Sequence, residues 1–156
     1  MASPNTSALN IKRALWTFLA SYAAVTVVAT AFSFLIIAIT HAPTVPESQA
    51  VHSHAYVLSE RYQPLINLAF WTLFAALYFK PRSSQRRTYR EAFKLGAVWL
   101  PIALVIDLVF FVLIKNRISL SPHDFYIGQM PWIYLIYVTV FTSPALYVLM
   151  QKAGRK

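Results

Sequence analysis

The chain has 156 residues, 58% of them hydrophobic and 12% charged, with no cysteine and a formal net charge of +9. The absence of thiols excludes disulfides, iron–sulfur clusters and thiolate metal sites within the chain. The positive charge does not read as a nucleic-acid surface, because the Lys and Arg residues flank the ends of apolar runs instead of forming a separate basic face.

Four apolar runs, 15–40, 64–79, 95–114 and 132–150, are separated by three polar connections. A bilayer core about 30 Å thick needs roughly 20 apolar residues in a helix, and three of the runs reach that length. Stretches such as Phe34-Leu35-Ile36-Ile37 and Val109-Phe110-Phe111-Val112 are apolar on every face, unlike the alternating strands of a membrane β-barrel. Lipid offers no hydrogen-bond partners, so helices that satisfy their own backbone are the architecture that fits. The expectation is an all-α polytopic membrane protein: one membrane domain over 1–156, a four-transmembrane-helix bundle with spans about 15–40, 62–79, 95–114 and 132–150.

The first run follows Lys12-Arg13 as a signal peptide would, but its length, about 26 residues, exceeds the 7 to 15 or so of a secretory apolar region. Thr40-His41-Ala42-Pro43 is also a poor cleavage site, so the run is read as an uncleaved helix. It carries a stripe, Tyr22, Thr26, Thr30 and Ser33, at helical spacing. The connection 41–61 holds His41, His52, His54, Glu47 and Glu60. His52-Ser53-His54 turns both imidazoles to one side only if extended, and the spacing matches no zinc signature, so these are weak metal candidates beside ordinary surface histidines.

The second run is short, roughly 24 Å as a helix, and is expected to begin earlier, with Pro64 in its first turn and Glu60-Arg61-Tyr62 as an interfacial turn. The loop 80–94 that follows is basic. Its Arg82, Arg86, Arg87 and Arg90 are candidates for anionic lipid headgroups, against the plainer reading that they only retain the loop on one face. Eleven of the fourteen Lys and Arg residues fall on the face of this loop and the termini, and three (Arg61, Lys115, Arg117) on the other. The positive-inside rule therefore places both termini in the cytoplasm. In this arrangement the Asn5-Thr6-Ser7 sequon is cytoplasmic and carries no glycan.

Asp107, in the third run, is the only ordinarily charged side chain inside any of the four spans. A carboxylate at a helix centre costs about 2.5 to 3.5 kcal/mol on insertion scales, so it is expected to face the bundle interior or water and to have a partner. Its depth is roughly 10 Å from the outer end of its run. Counting from the same side brings Ser33, Trp71 and Tyr137 near its level, with Asn67 and Tyr134 closer to the surface, which outlines an outward-opening polar pocket. Without a ligand, the same hydroxyls and amides are interhelical hydrogen bonds worth about 0.6 to 2 kcal/mol each. Pro101 and Pro144 each remove a backbone donor from their helices, and no Gly-xxx-Gly pair occurs in a span.

In the second outer loop, 115–131, Ser121-Pro122-His123-Asp124 has the cap, proline and acid of a helix start, and His123 is a further weak metal candidate. A short surface helix there would serve as a lid or a docking surface before Gly128 and Pro131 turn the chain into the last span. No nucleophile elbow, His-Glu-x-x-His or phosphate loop occurs, which leans against an enzyme, and no histidine lies within a span to ligate haem. No cofactor is implied.

Four helices, cytoplasmic termini and a pocket entered from one side form an outline similar to the four-helix sterol-isomerase and sterol-binding proteins. This chain has no acidic residue in its first two spans, so no site residue is carried across from that resemblance. Two functions are expected of such a chain in a plasma or bacterial inner membrane. In the first, a pocket of Asp107, Ser33, Thr30, Asn67, Trp71, Tyr134 and Tyr137 binds or transports an ion, an amphipathic small molecule or a lipid, with a homo-oligomer needed for transport. The alternative is a non-catalytic accessory, assembly or immunity subunit, in which Asp107 pairs with a membrane-protein partner.

Overall fold

The computed structural model describes residues 9–42, 53–80, 88–115 and 119–154. Four long helices account for most of them: α1 (Ile11–Ile39), α2 (His54–Phe79), α3 (Tyr89–Asp107) and α4 (Trp132–Ala153). The described residues contain no strand. α3 runs directly into a π-helical segment, Leu108–Leu113, and a short π-helical turn, Asp124–Gly128, lies in the connection to α4.

Side-chain caps set the helix starts. Asn10 accepts from the Arg13 amide at 3.0 Å, Ser53 from Tyr56 at 3.2 Å and Thr88 from Glu91 at 3.2 Å, each supplying an acceptor to an otherwise unpaired first-turn N–H. Ser121 accepts from the Asp124 amide at 3.0 Å and donates to its carboxylate at 2.8 Å, the helix start read in the sequence. The helices outrun the apolar runs. α2 begins at His54, so residues 54–61 are helical where a loop is expected, and Pro64 lies inside the helix instead of in its first turn.

Three helical stretches, Ile11–Ile39, Tyr89–Leu113 and Trp132–Ala153, are long and apolar enough to cross a membrane. α2 is not among them, because its apolar part begins only at Pro64 and Lys80 follows its last residue. Large apolar side chains stand exposed on the outward faces, from Leu19, Val27 and Phe34 on α1 to Val105 on α3 and Val138 on α4.

α1 and α2 run antiparallel: Arg13 donates to the Leu77 carbonyl at 2.7 Å near one end, and Ser33 meets Ser59 at 3.2 Å toward the other. α2 packs on α4 and α4 on α3, whereas α1 and α3 touch over a short length only. That contact is parallel and in constant register. Trp99 donates to the Ala14 carbonyl at 2.9 Å and Tyr22 bonds Asp107, both pairs 85 residues apart. Gly96 lets α3 approach α4, since a Cβ there would lie 2.2 Å from the Phe141 carbonyl oxygen. Buried Ala92, four residues earlier, adds a second small position to the same seam, so close packing is reached without paired glycines.

The bundle therefore has a termini end, where α1 starts and α4 finishes, and a hairpin end, capped by residues 119–131. The main core fills the termini half with Phe18, Trp71, Trp99, Tyr78, Phe79 and Val148, all at most 1% exposed. Nearer the hairpin end a smaller cluster of Val112, Phe125, Ile133 and Tyr137 holds the connection against α4.

Candidate functional site

A cavity of about 410 Å³ occupies the hairpin half of the bundle, lined by all four helices, the π segment and the 119–129 connection. Asp107, the last residue of α3 before the π segment, is 8% exposed and faces into it. One carboxylate oxygen accepts a short hydrogen bond from the Tyr22 hydroxyl of α1, and the other accepts from the Tyr137 hydroxyl of α4 at 2.8 Å. One buried acid thus ties three helices together and supplies the partners that a carboxylate removed from water requires.

α1 and α2 each present a polar stripe to this space. On α1 these are Tyr22, Thr26, Thr30 and Ser33; on α2, Tyr56, Ser59, Glu60, Gln63 and Asn67 recur every three or four residues. The Gln63 side-chain amide donates to the Ala29 carbonyl at 3.3 Å and lies 3.4 Å from the Ser33 hydroxyl, while Ser33 and Ser59 share a hydrogen bond. Asn67 donates to the Gln63 carbonyl at 2.9 Å and accepts from the Trp71 indole at 3.0 Å. Trp71 is therefore fixed in orientation, held in tilted ring contacts between Phe18 and Trp99, and closes the cavity toward the termini half.

At the other end of the α2 stripe stands Glu60. It lies about 20 residues along α2 from Lys80, roughly 30 Å at the helical rise and ahead of the apolar part of the helix. Burial pushes its carboxyl up to about 7, against the opposing pull of a hydrogen bond from the Tyr56 hydroxyl. The same hydroxyl accepts from Gln129 at 2.8 Å, which links α2 to the hairpin-end connection over the cavity.

Of the residues singled out from sequence, Asp107, Ser33, Thr30, Asn67, Trp71 and Tyr137 line this cavity. Tyr134 does not: it is 41% exposed, and the α4 wall of the cavity is made instead by Trp132, Ile133, Ile136, Tyr137 and Val140. Ser33 is not a partner of Asp107. It pairs with Ser59 nearer the hairpin end, and Tyr22 takes the place at the carboxylate.

His54 opens α2 with its side chain exposed, and His123 lies 3.6 Å from the Asp124 carboxylate at the surface. No group of three or more His, Cys, Asp or Glu side chains is placed to hold a metal ion among the described residues. Arg90 is exposed in the first turn of α3, while His52, Arg82, Arg86 and Arg87 lie outside the described residues.

Tyr56, Ser59, Glu60, Gln63 and Gln129 escape a reading of the apolar runs alone. The signal for four of them is present in the sequence as a three-and-four-residue polar spacing upstream of Asn67, visible once the helix is carried back through Pro64 to the Ser53 cap. Comparison with protein-family models, curated proteins and solved structures finds no match to this chain.

Proposed function

We propose that this chain is a four-span membrane protein with both termini cytoplasmic, whose outward-facing cavity, anchored on Asp107, binds or moves an amphipathic small molecule or lipid. The observation that carries the reading is the setting of Asp107. A single intramembrane acid is held by hydroxyls from two other helices at the base of a cavity large enough for an organic molecule. Two bonds leave lone pairs on a carboxylate that accepts at about four positions, so the group can still receive a ligand donor. The orientation rests on the eleven-to-three distribution of basic residues, and α2 is taken as the fourth span because it packs antiparallel to α1 and alongside α4. The mostly apolar and aromatic walls favour an amphipath over a bare ion.

Native mass spectrometry of the protein released gently from its own membrane tests this reading, with wild type and Asp107→Asn compared. Wild type is expected to retain a defined small molecule or lipid at fixed stoichiometry, and Asp107→Asn to lose it while staying folded. A bound foreign subunit with no small molecule in either form contradicts the proposal and favours an accessory role.

A further inference from the structure

The charges around the cavity narrow the ligand further, on the basis of the pocket reading above. Fourteen of the 156 residues are Lys or Arg, yet none of them, and no histidine, lines the cavity among the described residues. Two of the five acidic residues do, Glu60 near the hairpin end and Asp107 deeper. Neither is paired with a basic side chain among the described residues; both are held by tyrosine hydroxyls. Anionic groups in a low-dielectric cavity are stabilised by a positive partner, and the described residues offer none. The walls add Tyr22, Tyr137, Trp71 and Trp132, whose ring faces attract cations.

The cavity also has a side. Beyond the Tyr22–Asp107 contact, α1 and the π segment Leu108–Leu113 make little contact with one another. Thr26 and Thr30, on the α1 side of the cavity, line it and are exposed.

We infer that the cavity takes a cationic amphipath, an organic ammonium with an apolar tail, which enters sideways between α1 and the π segment and sets its head between Glu60 and Asp107. A volume of about 410 Å³ suits such a molecule and far exceeds a monovalent metal ion.

Three probes with one tail length, dodecylamine, dodecanol and dodecanoate, separate the possibilities when titrated onto the full chain in lipid nanodiscs. Saturable change in the protein's thermal midpoint reads affinity, and the time course of the change in tryptophan fluorescence after mixing reads the association rate. At neutral pH dodecylamine is expected to bind about tenfold more tightly than dodecanol, the ratio expected of one ion pair or cation–π contact in a partly dry site, and dodecanoate more weakly than either. Glu60→Gln is expected to cut the amine's advantage over dodecanol several-fold. Thr30→Trp is expected to slow association of the amine from the bilayer.

Equal or tighter binding of dodecanol or dodecanoate overturns the cationic class while leaving the pocket standing. Displacement of the amine by millimolar sodium or potassium overturns the organic class. An unchanged association rate in Thr30→Trp overturns the lateral route. Saturable binding of none of the three probes overturns the pocket reading itself.

Discussion

The two halves of the bundle are built from the same four helices, yet one is dry and closed and the other polar and hollow. In the termini half, Trp99 is fully buried, packs at a tilt against Trp71 with ring centroids 5.3 Å apart, and donates its indole N–H to the Ala14 carbonyl. In the hairpin half, the positions on α1 two to five turns further on are Tyr22, Thr26, Thr30 and Ser33, and the helices part around a cavity. The difference begins with side-chain size and polarity along α1. Ala14 and Phe18 fill the seam with α2 and α3, whereas the threonines and Ser33 are too small to span the widening space. Trp71 lies at the boundary, core to one half and floor to the other. One helical frame thus separates the work of holding the bundle together from that of holding a ligand.

Removing ring volume from the dry half is the most disruptive way to test this division. Trp99→Ala leaves a large void and removes the indole hydrogen bond to Ala14, and is expected to cost about 3 to 5 kcal/mol in chemical unfolding from mixed micelles. A loss below about 1 kcal/mol would mean that the termini half is not the stabilising half.

A smaller effect is expected at the polar node. Tyr137→Phe removes one of the two bonds to Asp107 and should cost about 0.6 to 1.7 kcal/mol, the range of single hydrogen bonds between membrane helices. Its larger consequence should be weaker ligand retention, so the ratio of binding loss to stability loss distinguishes this residue from Trp99.

The smallest effect is one of pH, and it sharpens the comparison because it reads Glu60 in the hairpin half. The Glu60 carboxyl titrates near 7 in the folded protein and near 4.5 as an ordinary glutamate. The folded state therefore binds more protons than the unfolded state between these values, and stability falls as pH rises through that window. Thermal midpoints of wild type should drop slightly from pH about 5 to about 7, and those of Glu60→Gln should lose that component. An identical pH profile in the two proteins would show that Glu60 is not held in a desolvated setting.

Much of this division is legible in the residues. The apolar runs mark four helices, the isolated Asp107 marks the node, and the α1 stripe marks one wall of the cavity. The α2 wall is hidden because the helix passes through Pro64 and continues into polar residues, where the apolar pattern ends but the Ser53 cap has not yet been reached. The partner of Asp107 is hidden for a different reason. Depth counted from the ends of apolar runs assumes a shared plane, whereas the register of α1 on α3 is fixed by the Trp99–Ala14 contact, which brings Tyr22 and not Ser33 level with the acid. The π segment after Asp107 carries no pattern of its own in a run apolar on every face.

The natural absence of cysteine makes one measurement especially direct. Ser33→Cys places a single thiol on the cavity wall, and Ser143→Cys places one at a fully buried position that does not line it. A charged, membrane-impermeant methanethiosulfonate applied to the outer face of intact cells should modify the first and spare the second. Modification of Ser33→Cys only from the cytoplasmic side, or none from either side while Ser143→Cys reacts, would contradict an outward-facing polar cavity.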